Sequence, residues 1–153
     1  MTDRLRIKRK VLVVIDGTPI SDKAAKEAVD LAWGSDPSKP GELVSLFITQ
    51  PLSNEKPFYL EIPKKSEREK WEKFLDDIFF VVEKEAKAEN LHVTRVIEDG
   101  NPVEAILKVA NEEMVDVIVM GSSERSLMRR ALIGNPAHKV LNHAKCSVYI
   151  VKG

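Results

Sequence analysis

Two short stretches hold the residue types of an anion cradle. They are Gly121-Ser122-Ser123-Glu124-Arg125-Ser126 and Ile133-Gly134-Asn135-Pro136. A glycine at the end of an apolar run lets a ligand approach the backbone closely. Gly134 and Asn135 precede a predicted helix with Pro136 at its first position. Free N–H groups at a helix start attract phosphate. Ser122, Ser123 and Ser126 add hydroxyl donors, and Arg125, Arg129 and Arg130 add positive charge. The same residues also fit a plain loop capped by Asn135, with its arginines solvated. Taken alone, they leave both readings open.

Other reactive residue types are scattered. His138 and His143 are five apart, not the four that would stack them on one helix face as a metal pair. They are expected at the surface or at a helix end, as is His92. Asp76 and Asp77 are adjacent, point to different faces of a helix and are expected to be solvated. Cys146 abuts an apolar run and is expected as a small core residue rather than a nucleophile. A serine of the 122–126 stretch can accept a phosphate, but no base accompanies it. With no nucleophile–base pair and no metal cluster, catalysis ranks behind binding. Phe58 and Tyr59 lie in an irregular stretch, Gln50 to Pro63. They either cover a ligand, contact a partner or seal the core.

The elements that must position these residues alternate. Val11 to Ile15 is an unbroken apolar run, as in strands buried on both faces. Asp16-Gly17-Thr18-Pro19 turns the chain, and Ser21 or Asp22 is the expected cap of a helix to about Trp33. Leu43 to Thr49 is a second strand. Ser66 with Glu69 resembles a capping box for a long helix to about Ala88. Its stripe of Trp71, Phe74, Leu75, Ile78, Val81 and Val82 reads as core. His92 to Ile97 is a third strand, Val103 to Glu113 a third helix and Val115 to Met120 a fourth strand. A helix from about Pro136 to Asn142 and a strand from Ser147 to Val151 complete the order. Strict β-α alternation predicts one α/β domain: a doubly wound parallel sheet with helices on both faces. Ligands of such folds bind beyond the carboxyl ends of the strands, where the strand order reverses.

The bulk properties agree. The chain has 153 residues, enough for one core over residues 1–153, with residues 1–9 as a basic lead-in. Lysines plus arginines number 24, as do aspartates plus glutamates, so no net field draws the chain to nucleic acid or an anionic membrane. No signal-peptide core follows the basic start, and Val11 to Ile15 is too short to cross a bilayer. One cysteine forms no intramolecular disulfide, which fits a reducing, cytoplasmic setting.

Met120 to Leu141 resembles the nucleotide loop of the universal stress protein family. That loop runs Gly, two residues, Gly, nine residues, then Gly followed by Ser or Thr. Gly121 and Gly134 have the required separation. Asp16 matches the family's acidic residue at the nucleoside, and Gly100-Asn101-Pro102 matches a family turn. The resemblance runs from Lys10 to Lys152. It implies a five-stranded sheet of order 3-2-1-4-5 and a homodimer paired through the last strand, Ser147 to Val151. It also implies a site for ATP or AMP, with or without magnesium. Val14, Ile15, Asp16 and Ile48 would flank the nucleoside. Met120, Gly121, Gly134, Asn135 and Pro136 would flank the phosphates, with Ser123, Glu124 and Arg125 in the same loop.

Two residues depart from the family pattern. Asn135 replaces Ser or Thr, yet still caps and donates. Glu124 stands at the middle glycine, bringing bulk and negative charge to a place where backbone approaches phosphate. Like charges a few ångströms apart cost about 1–4 kcal/mol. Arg125 or Arg129 can neutralise Glu124, and a magnesium ion can bridge it to a phosphate. The expectation is a nucleotide-responsive module of the stress response with weakened triphosphate binding. The competing expectation is a stress-protective interaction dimer whose cleft holds no nucleotide.

Overall fold

Apolar side chains from Val11 to Ile15 leave the first strand no face that water can solvate, so it must lie between two layers. The computed structural model places it there. It describes residues 9–34, 38, 40–52, 56–122 and 136–153. Strand β1 (Lys10–Ile15) is central in a five-stranded sheet of order β3-β2-β1-β4-β5. All the pairings are parallel: β2 (Glu42–Ile48), β3 (His92–Glu98), β4 (Val117–Ser122) and β5 (Ser147–Lys152) run alongside it. The expected doubly wound architecture and strand order are present. The order reverses between β1 and β4, which defines the crevice.

Each face of the sheet carries two helices. Helix α1 (Pro19–Trp33) and helix α2 (Arg68–Ala88) cover the face that holds Val11, Val13, Ile15 and Phe47. Helix α3 (Pro102–Glu112) and helix α4 (Pro136–His143) cover the face of Leu12, Val14, Ile48 and Met120. Helix α1 lies close because its inward residues are small: Ala24, Ala25, Ala28 and Ala32 are buried. The α2 stripe is core as expected, with Phe74, Ile78, Phe79 and Val82 buried and Trp71, Leu75 and Val81 packed against them. Both α2 and α3 end on a left-handed residue, Asn90 (φ 56°) and Met114 (φ 53°). The bonds from Leu91 N–H to the Ala86 carbonyl and from Val115 N–H to the Ala110 carbonyl close these ends.

Three local expectations are corrected. The cap of α1 is Thr18, not Ser21 or Asp22: its side chain accepts from Ser21 N–H, and Pro19 takes the first position. The cap of α2 is Glu67, one residue beyond the expected Ser66, and it makes no side-chain capping bond. A turn from the Lys64 carbonyl to Glu67 N–H displaces the Ser66 capping box. Asp76 and Asp77 are exposed but not merely solvated. Asp76 bonds Arg95 and Asp77 bonds Lys73. Arg95 also makes a paired contact with Glu83 and sits 5.0 Å from the Phe79 ring centroid, tying edge strand β3 to α2. Cys146 is half-buried against the α3–α4 core, and burial pushes its thiol pKa up. His92, His138 and His143 are exposed.

Candidate functional site at the carboxyl edge of strands one and four

Beyond Ile15 the chain must leave the sheet and enter α1 within a few residues. Asp16 organises that turn. Its Oδ1 accepts from Thr18 N–H at 3.0 Å and from the Thr18 hydroxyl at 2.5 Å. Its own N–H donates to Ser21 Oγ at 3.2 Å. Thr18 and Ser21 are both buried, so the turn is knitted from inside. Among the described residues Asp16 Oδ2 has no partner, although the residue is half-buried. Burial raises the pKa of the nearby Asp22 carboxyl; Lys26 opposes this and the Asp16 charge adds to it.

Val14, Ile48 and Met120 belong to one sheet face, all buried, on the α3–α4 side. Ile15 belongs to the opposite core, under α1 and α2. The fold therefore brings three of the four apolar candidates to one face and turns the fourth away. Gly121 lies near the end of β4, in register with Val151, and Ser122 beside Lys152 is buried. Pro136 opens α4. Ser123, Glu124, Arg125, Gly134 and Asn135 lie outside the described residues.

Gly121 has a packing reason of its own. A Cβ there would stand 2.8 Å from Ile20 Cγ1 and 2.9 Å from the Ile20 carbonyl oxygen. The first turn of α1 thus sits against the backbone of β4, where a side chain cannot fit. On the other side of the crevice, Gly17 takes φ +80°, a left-handed value that favours glycine. A Cβ at Gly17 would stand 3.1 Å from the rings of both Phe58 and Tyr59.

That apposition settles what the two aromatics do. Tyr59 seals the core: it packs edge-on against Phe74 with ring centroids 5.0 Å apart. Burial raises the pKa of its phenol, and the Asp16 charge raises it further. Phe58 instead lies over the β1–α1 turn. Its N–H donates to the Gly17 carbonyl at 3.0 Å while 58% of the residue stays exposed. The sequence allowed Phe58 to cover a ligand but did not tie it to Asp16. The 41 positions between them hold a helix and a strand of their own, and only the ring-sized space above a left-handed glycine links the two.

Beside β2 and β3, Thr49 and Lys65 both donate to Asp99, each at 2.8 Å. These bonds, Lys65 first, hold the Asp99 carboxyl below its usual range. Among the described residues, no three His, Cys, Asp or Glu side chains gather as a cation site. Among them, too, no helix is long and apolar enough to cross a membrane.

Known proteins share this fold. A universal stress protein of Methanocaldococcus jannaschii is 27% identical over 147 residues, covering 94% of this chain and 82% of that one. The crystal structure of a universal stress protein in complex with cAMP superposes with a TM-score of 0.69 at 23% identity, covering 94% of this chain and 96% of that one. An Archaeoglobus fulgidus universal stress protein in complex with dAMP superposes with a TM-score of 0.60 at 16% identity, covering 95% and 98%. At these identities the two structures speak for the fold. Residues 8–152 match the family profile described as the universal stress protein family. With that match over almost the whole chain and the strand order of the sheet beside it, the chain belongs to the universal stress protein family.

Proposed function

We propose that this chain is a nucleotide-responsive regulatory module of the stress response, taking an adenine nucleotide in the crevice between β1 and β4. One observation carries the reading: Asp16 Oδ2, half-buried at the switch point, is an acceptor without a partner among the described residues. Val14, two residues before it, shares a buried sheet face with Ile48 and Met120. A carboxylate so placed suits an amine or hydroxyl of a nucleoside. The complexes of relatives with cAMP and dAMP support an adenine ligand. Binding rather than turnover is the role, and the cytoplasm is its setting.

Glu124 favours a second reading, in which the protein acts by interaction alone and its cleft holds no nucleotide. Calorimetry with ATP and AMP separates the two. The expected result is AMP binding in preference to ATP, with ATP gaining affinity in Glu124→Gly and both ligands lost in Asp16→Ala. Absence of binding by either nucleotide at millimolar concentration would leave the second reading standing.

Both readings include a homodimer through β5. This outermost strand keeps Val148 and Ile150 only half-buried and Tyr149 39% exposed. An open edge of that kind is blunted by pairing with a second copy.

A further inference from the structure

We propose that Phe58 is the stacking surface for the base of the bound nucleotide; this rests on the nucleotide reading above. Exposed aromatic residues are common, but this one is held in place. Its main chain is bonded to the Gly17 carbonyl at 3.0 Å, and its ring edge fills the space where a Gly17 side chain would stand. On its other flank Tyr59 packs edge-on, with centroids 5.5 Å apart and planes at 86°. Tyr59 is itself fixed against Phe74. Phe58 therefore has its backbone pinned and two sides of its ring packed, while the rest faces solvent.

Its location names the occupant. Gly17 follows Asp16 directly, so Phe58 is bonded to, and its ring lies against, the residue next to the proposed nucleoside acceptor. Other exposed apolar side chains lack that placement. Leu60 is fully exposed but offers no π face, and Phe80 rides on α2, away from the β1–α1 turn. A planar base laid on Phe58 would cover its exposed ring. Every base has a π face, so the stack gives affinity with little choice of base. Asp16 is then left to supply the selection.

Calorimetric titration of AMP into wild type, Phe58→Ala, Phe58→Leu and Phe58→Tyr tests this. Wild type and Phe58→Tyr are expected to bind alike, because both keep the ring. Phe58→Ala is expected to bind about tenfold more weakly, the lower range for loss of one base–aromatic stack. Phe58→Leu is expected to follow Phe58→Ala, since it restores bulk without the π face. Equal AMP affinity in wild type and Phe58→Ala would overturn the stacking role and leave the nucleotide reading intact. Full rescue by Phe58→Leu would overturn it also, showing an apolar cover rather than a stack. No AMP binding by wild type would overturn the nucleotide reading itself, and the stacking role with it.

Discussion

The two sides of the crevice are closed by different materials. On the β4 side, Gly121 faces the carbonyl of Ile20, part of the α1 backbone. On the β1 side, Gly17 faces the rings of Phe58 and Tyr59, side chains carried on a long loop. Backbone in the first turn of a packed helix has nowhere to go. The rings are seated, but their outer atoms can yield by the few tenths of an ångström that a methyl group needs. The β4 side is therefore the fixed wall of the crevice and the β1 side is the adjustable one.

The largest expected effect tests the fixed wall. Gly121→Ala forces a methyl group to within 2.9 Å of a carbonyl oxygen. The expected loss is about 3 kcal/mol, the upper end of ordinary overpacking, read by urea unfolding. A loss below about 1 kcal/mol would show that α1 moves freely and would erase the contrast. Next comes Gly17→Ala, where the left-handed backbone costs an alanine about 1–2 kcal/mol. The rings should add little because they can move. Combining it with Phe58→Ala is therefore expected to be nearly additive, whereas strong coupling in the double-mutant cycle would mean a rigid wall here too.

The smallest effect concerns the neighbouring loop at the ends of β2 and β3. Lys65 and Thr49 lower the Asp99 pKa from its ordinary 3.8. A depressed folded-state value means the stabilisation is complete above that ordinary value and is lost as pH falls through the folded one. The Lys65 and Asp99 side chains are 56% and 62% exposed, so screening leaves a few tenths of a kcal/mol. Lys65→Met is expected to remove most of that slope below pH 3.8 and to leave stability near neutrality within a few tenths of a kcal/mol. A larger loss at neutral pH would assign Lys65 a packing role instead, through its position 5.7 Å from the Trp71 ring centroid.

The architecture was readable because it rests on short-range patterns. Apolar runs marked β1 and β4, the α2 stripe marked a core helix, and glycine with proline marked the turns. The caps were harder. Several hydroxyl and carboxyl residues compete near α1, and the choice fell to Thr18 because Pro19 suits only the first helical position. At α2 a local turn outweighed the Ser66–Glu69 pattern. The site was legible only in part. Asp16 stood out by its place after β1, whereas Val14, Ile48 and Met120 were candidates only through the family resemblance. That Ile15 faces away follows from the two-residue alternation of a strand, which carry-over by position ignores. For Phe58 the sequence left three roles open, because nothing local ties it to Gly17.

The contact between Gly121 and Ile20 changes what a glycine signature is worth. Folding alone demands glycine at position 121, whether or not any nucleotide ever arrives. A lineage that abandoned nucleotide binding would still keep it, under selection for stability. Position 124 carries the more telling signal, and this chain has a glutamate there. Counting surviving glycines therefore overstates the likeness of this loop to a working phosphate site. For relatives of this chain, a functional census should weight the middle position of the motif above the first.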